Sequence, residues 1–490
     1  MRYFKRKIHL VNYRESIKVK KTELPFTRVS TSLLENVNHI EKLFSHSHDL
    51  KNFQFNLTEK KCVVLYFETL VDMEKLEKKL FTPISKHKNQ NEFIKDIPEP
   101  LTKLDNFEEV TEKLLNGFSI FYVDGEQYVY CIDVASRYER TTDEPENEKV
   151  IRGSHQGFVE NLTTNLNLIR KRIEHKDLLV KYLTLGNKTK TKVAILYMKG
   201  IANEEVVNEV QRRLMSIDTD MIFNTGFIEE FIEDSHTSLF PQMLNTERPD
   251  RVTANLMEGR ISLLSDGVPT ALILPVTFFS FYQSPDDYGS RAYFGSFIRI
   301  IRLISFLIAI TLPAIYIAVI GFHFEVLPEE LIITVKSSVE KIPYPTLIEA
   351  LIMELTIELI RESGIRLPGA IGPTIGIVGG LVIGDAVVRA GLVSNTMIVI
   401  VAITAIASYV VPSNEMGVAI RLIRFPMMIA AATFGFVGIV FGLMILLIHL
   451  CKLESFGTPY FAPVAPFHWK DLKDSIVRLP VWKLKKDQQN

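Results

Sequence analysis

The chain has 490 residues, with 56 Lys and Arg against 57 Asp and Glu and a formal net charge of −1 at pH 7. A balance so close to zero gives no global electrostatic case for a nucleic-acid partner, and the length allows two or three domains. The average hides two unlike halves: charge crowds before about Asp287, whereas 303–450 is dominated by Leu, Ile, Val, Ala, Gly and Phe, so a soluble region is expected to precede a membrane region.

Residues 1–44 are a basic segment opening Met1-Arg-Tyr-Phe-Lys-Arg-Lys7, with no apolar run or small-residue cleavage site behind it, so the N-terminal half is expected in the cytosol. Lys61 to Phe67 is a β-type run, and Met73 to Phe81 reads as an amphipathic helix. The pattern returns at Val193 to Met198, followed by Asn203 as N-cap and a helix over Glu204 to Met215 with Val206, Val207, Val210 and Leu214 at helical spacing. A hairpin then follows each helix, Ser119 to Asp133 and Ile261 to Leu274. Asp124-Gly125 and Asp266-Gly267 stand at the turns, a pair that favours type I′. The shared strand, helix, hairpin order predicts two related α/β subdomains, 45–136 and 150–287, joined by a polar linker over 137–149. Such duplicated lobes serve either as the walls of a ligand cleft or as a scaffold.

No catalytic, cofactor or metal site is expected, because phosphate loop, HExxH helix, GxSxG elbow and paired CxxC are all missing from the sequence. Cys62, Cys131 and Cys451 lie far apart and read as inert thiols, and His323 and His449 as satisfied or interfacial histidines near membrane boundaries.

An all-α multi-span membrane domain is expected over 288–451, with spans at 303–322, 371–388, 393–411 and 427–450. Arg299 and Arg302 suit a cytosolic start, and an even number of spans returns the Lys-rich tail, 452–490, to the same side. The helix expected over 346–362 is a fifth crossing, a re-entrant piece or an interfacial helix, and a crossing would move the tail. It gathers Glu354, Glu358, Arg361 and Glu362 on one side, with Glu349 apart. In an oligomer those glutamates are pore-lining candidates forming acidic rings; otherwise they are a solvated face. Gly372, Gly376, Gly380 and Gly384 repeat every fourth residue, a groove for close helix packing. Asp385 either contacts a pore or forms an ion pair with Arg389 one turn on.

The run Gly372-Pro-Thr-Ile-Gly-Ile-Val-Gly-Gly-Leu-Val-Ile-Gly-Asp385 resembles the A subunit of GerA-type spore germination receptors, as do Ala390-Gly-Leu-Val-Ser-Asn395, Val401 to Ser408 and Leu453-Glu-Ser-Phe-Gly-Thr-Pro-Tyr460. Thr246-Glu-Arg-Pro-Asp250, Glu258-Gly-Arg260 and Gln283-Ser-Pro-Asp-Asp-Tyr288 add to the match, which covers the chain from about Val63 onward. One departure is Pro373, where that family commonly has glutamine. The resemblance implies a homo-oligomeric subunit of the spore inner membrane, partnered by a permease-like B subunit and a lipoprotein C subunit, coupling nutrient sensing to cation release. The related stage V sporulation protein AF shares the architecture without direct nutrient sensing. A secondary transporter, by contrast, would carry its repeats in the membrane half.

Overall fold

The computed structural model describes residues 28–57, 60–86, 101–136, 144–366, 384, 386–467 and 472–480. They fall into two compact units, Met1–Tyr138 with Glu174–Lys176, and Glu139–Ile173 with Asp177–Asn490.

In the first unit Ser32 accepts the amide of Glu35 and starts α1 (Leu33–Leu43). β1 (Leu50–Leu57) and β2 (Lys60–Phe67) follow, then α2 (Met73–Leu76), capped by Asp72, which runs through a π-helical turn, Glu77–Phe81, into α3 (Thr82–Lys86). β3 (Thr102–Leu104), α4 (Phe107–Leu115), β4 (Phe118–Val123) and β5 (Val129–Asp133) complete an antiparallel sheet of order β1-β2-β4-β5-β3. Alternate residues of its central strands enter two cores. Val63, Leu65, Ile120 and Tyr122 meet Ile40, Val110 and Leu114 on one face, while Cys62, Val64, Phe121 and Val123 meet Leu76 and Leu80 on the other. Coverage on both faces explains why β2 and β4 read as continuous apolar runs. Burial pushes the Cys62 thiol up to about 11 and Cys131 up to about 12, so neither is a reactive thiolate at neutral pH.

The second unit repeats the plan with α5 (Leu162–Arg170), β6 (Leu178–Leu185), β7 (Thr191–Met198), α6 (Glu204–Met215), α7 (Thr225–Ile232), β8 (Leu244–Thr246), α8 (Pro249–Met257), β9 (Ile261–Ser265) and β10 (Ala271–Leu274). Its sheet order, β6-β7-β9-β10-β8, is that of the first unit. Asn203 caps α6 as expected. Even single hydrogen bonds repeat. Asn36 clasps the backbone of Ser30 with both ends of its amide, and Asn165 does the same to Val159. The duplication therefore starts with α1, ahead of the boundary at residue 45.

The turns differ from the expected type I′. Only the glycines, Gly125 at φ 88° and Gly267 at φ 84°, have left-handed backbone, and the loops run from Val123 to Val129 and from Ser265 to Ala271. The aspartates serve another purpose: Asp124 accepts the Leu33 amide and Asp266 the Leu162 amide, so each turn caps the first helix of its own repeat.

From β10 a 3₁₀ turn, Phe278–Tyr282, and α9 (Pro285–Gly289) lead into α10 (Ala292–Phe322), a helix of 31 residues. α11 (Glu329–Val339), α12 (Thr346–Arg366), α13 (Asn395–Tyr409) and α14 (Asn414–Lys452) follow, and β11 (Glu454–Ser455) pairs with β12 (Thr458–Pro459). The fold class is thus the expected one, two related α/β sheets followed by an apolar helical region. Among the described residues α10 and α14 are each long and apolar enough to cross a membrane. Sixty-one per cent of the apolar stretch of α10 is buried against 28% for α14, so α10 is central and α14 flanks it. The expected span 303–322 lies inside α10, and 393–411 nearly coincides with α13.

The expected span 427–450 departs from the structure, because Gly435, at φ 60° and ψ −139°, interrupts α14. In a straight helix Met427 and Gly442 would be about 22 Å apart. Instead the Met427 sulfur lies 2.6 Å from the position of a Cβ on Gly442, and the Ala430 carbonyl meets Gly438. The chain folds back at Gly435, and Gly438 and Gly442 are the bare positions that let the second arm lie against the first. The span expected over 371–388 lies outside the described residues, apart from helical backbone at 384 and 386–389.

Candidate functional site

Two polar clusters stand out in the second unit: one where the lobe meets the root of α10, the other deep among the helices.

At the root, Ser284 and Asp287 close a capping box around α9, with Pro285 at its first position. Asp287 is 2% exposed and faces Arg299 and Arg302 from α10, at 3.3 Å and 2.8 Å. Those arginines are three positions apart, which puts both guanidinium groups on one side of the helix. Arg302 also donates to the Tyr282 carbonyl at 3.0 Å. Gly295 is the close-approach position, since a Cβ there would stand 2.7 Å from the Asp287 carbonyl. The tail completes the knot: Arg478 donates to the carbonyls of Asp287 and Ser290, and Asp474 accepts from Arg299 and from the Tyr288 hydroxyl, the latter at 2.9 Å. Burial, with the Asp474 charge beside it, pushes the Tyr288 hydroxyl up, so it remains a donor. Phe278, Tyr282, Phe306 and Phe461 close the apolar side in edge-on contacts.

The segment Leu453 to Tyr460 docks onto the same lobe. Ser455 donates to the Gln242 carbonyl at 2.8 Å, the Tyr460 hydroxyl to that of Pro241 at 2.7 Å, and the Phe456 amide to Asp234 at 2.6 Å. Glu148, from the expected linker, pairs with Arg251 and accepts from Thr246 and the Glu247 amide. Two of the motifs that carried the family resemblance, 283–288 and 453–460, are thus parts of one joint, and 246–250 is braced beside it.

The second cluster lies midway along α10. Pro313 has no amide hydrogen, so the carbonyl of Ala309 loses its helical donor. Arg424 of α14 supplies one, its Nε donating to that carbonyl at 2.8 Å, while its Nη1 pairs with Glu354 of α12. Arg424 and Glu354 are 2% and 1% exposed, a charge pair sealed among three helices. Glu358, one turn on, lies 3.2 Å from both Arg361 and Arg421. Glu362 is exposed. The three carboxylates expected on one acidic face therefore differ in their surroundings: Glu354 is buried against Arg424, Glu358 lies between Arg361 and Arg421, and Glu362 is exposed on an outward stripe with Ile352, Leu355 and Leu359. Glu349, apart from them as expected, is buried and accepts the Ser394 amide at 2.6 Å, holding the N-terminus of α13.

Of the other expected residues, Gly372, Gly376, Gly380 and Asp385 lie outside the described residues, while Gly384 and Arg389 are in helical backbone. His449 bonds the Ser238 hydroxyl at 2.9 Å, and His323 stacks on Phe436. Sequence reasoning missed Arg424, Arg421 and Asp287 as structural hubs. Pro313 inside an apolar run was the available signal, since it announces a carbonyl in want of a donor.

Comparison with known proteins matches residues 38–490 to the model of the Bacillus/Clostridium GerA spore germination protein family. Spore germination protein KA of Bacillus subtilis (strain 168) is 38% identical over 93% of this chain and 86% of its own length. Spore germination protein B1 of the same strain is 38% identical over 94% and 97%, and an uncharacterized membrane protein, YfkQ, 38% over 93% and 90%. Among solved structures, the N-terminal domain of the A subunit of the Bacillus megaterium spore germinant receptor GerK3 aligns at 30% identity and TM-score 0.40, covering 51% of this chain and 98% of that one. Similarity of this extent, running through both lobes and the helical region alike, makes the chain a member of the GerA family of spore germination proteins.

Proposed function

We propose that the protein is the membrane subunit of a spore germinant receptor in which nutrient sensing releases cations, and that copies of this chain assemble into the cation-conducting part. The observation that carries this reading is the outward stripe of α12. Ile352, Leu355 and Leu359 are exposed along α12, with exposed Glu362 on the same face one turn before its end, while Glu354 and Glu358 face inward. A carboxylate in the last turns of a membrane helix is stable where it meets water, and several copies arranged about an axis would bring Glu362 to a shared aqueous path. In this reading Glu354 and Glu358 shape the helix behind the path. A permease-like B subunit and a lipoprotein C subunit are the expected partners, in the spore inner membrane with the lobes in the cytosol. The glycine series 372–384 would pack neighbouring helices, with Asp385 paired to Arg389.

Glu362→Gln should slow cation release from germinant-treated spores at unchanged protein level. Release at the parental rate would remove Glu362 from the path. A related reading, a stage V sporulation AF-like subunit without direct sensing, is separated from this one by whether B and C subunits are encoded beside it.

A further inference from the structure

We infer that 414–452 is a two-armed hairpin that crosses the bilayer twice, so that the C-terminal tail shares a side with the lobe while the tip at Gly435 reaches the opposite side. Apolar content alone is satisfied by one tilted span. Geometry is not. As a straight helix, Glu415 and His449 would be about 51 Å apart. Both touch one short piece of the lobe: Glu415 is hydrogen-bonded by Asn245, and His449 by Ser238. Those two partners are seven residues apart, at most about 25 Å along the chain.

The tip is equally well placed. A Cβ on Gly435 would stand 3.0 Å from the His323 ring, and His323 is the C-cap of α10. Since α10 is rooted in the lobe by Asp287, its far end marks the opposite surface. The arms on either side of Gly435 are about 31 Å and about 25 Å long, close to the hydrocarbon thickness of about 30 Å. Their outward residues, among them Leu422, Ile429, Val440, Ile445 and Ile448, are apolar as lipid contact requires.

The same depth scale assigns α12. Its first turn meets Ser394, which also bonds Tyr316 near the far end of α10; its middle meets Arg424; and Arg361 near its end bonds Tyr409, just before the lobe-side start of the hairpin. α12 therefore spans the layer from the far side to the lobe side instead of lying on its surface. The hairpin is a lever whose base is gripped by 234–245 and whose tip abuts the far end of α10.

Single cysteines in a full-length background with Cys62, Cys131 and Cys451 replaced by serine test this in sealed vesicles of both orientations, using a membrane-impermeant maleimide. All chosen positions are exposed: Lys188 in the lobe, Asn414 and Glu454 at the hairpin base, Thr433 at the tip and Glu340 after α11. Asn414→Cys and Glu454→Cys should label together with Lys188→Cys, and Thr433→Cys together with Glu340→Cys only in the opposite orientation. Labelling of Glu454→Cys on the side opposite to Asn414→Cys makes the segment a single span and overturns the inference. A Thr433→Cys that labels in neither orientation makes it a hairpin ending inside the bilayer, and also overturns it. The readout is relative to the lobe and does not depend on whether the protein conducts ions.

Discussion

Arg424 serves two needs created by other residues: a carbonyl that Pro313 leaves without a donor and a carboxylate, Glu354, buried out of water. Removing one partner of a buried pair leaves an uncompensated charge, at a cost of roughly 3–5 kcal/mol, whereas replacing both with apolar side chains is often nearly neutral. Arg424→Met alone should therefore lower the unfolding temperature of the purified protein strongly, and Arg424→Met with Glu354→Leu should recover most of the loss. Equal loss in the single and double variants would show that the pair does not act as one unit. From sequence, the four-residue spacing of Glu354, Glu358 and Glu362 was legible, but not that they sit in different surroundings. The arginine partners of Glu358 and Glu354 were not legible, because Arg421 and Arg424 stand 63 and 70 residues further along the chain and only the bundle brings them there.

Among the elements, helices and central strands were readable because each carries one strong period: Val207, Val210 and Leu214 do face the core of the second lobe. Elements that depend on long-range closure were not. β3 and β8 are three-residue edge strands with no pattern of their own, and the reversal at Gly435 hides inside an unbroken apolar run. Its sign was one glycine among several, distinguished only by a backbone conformation that other residues avoid. The contact of α7 with the hairpin base has a consequence for pH. Burial, reinforced by the charges of Glu415 and then Glu233, raises the Glu229 carboxyl from 4.5 to about 8. The neutral form is the one that the fold favours. Its stabilising effect is complete below about pH 4.5 and is lost as pH rises through about 8. Glu229→Gln, neutral at every pH, should flatten the fall in thermal stability between those values. An unchanged slope would show that another group causes it.

At the scale of the whole molecule, the duplication was legible from strand, helix and hairpin order. Its start was not, because α1 and α5 announce themselves through Asn36 and Asn165, whose partners are backbone groups with no sequence signature. Within the second unit, lobe and helices belong to one compact body joined by Asp287, the 453–460 ladder and the tail, with no free linker between β8 or α7 and the helices α10 and α14 among the described residues. That continuity makes a coupling role mechanically sound, and conduction is the claim on which the functional reading turns. Purified full-length protein, fused into a planar bilayer with unequal potassium chloride on the two sides, should give discrete currents that reverse near the potassium potential, smaller in Glu362→Gln. A correctly assembled protein that passes no current, or one whose reversal follows chloride, would contradict the account.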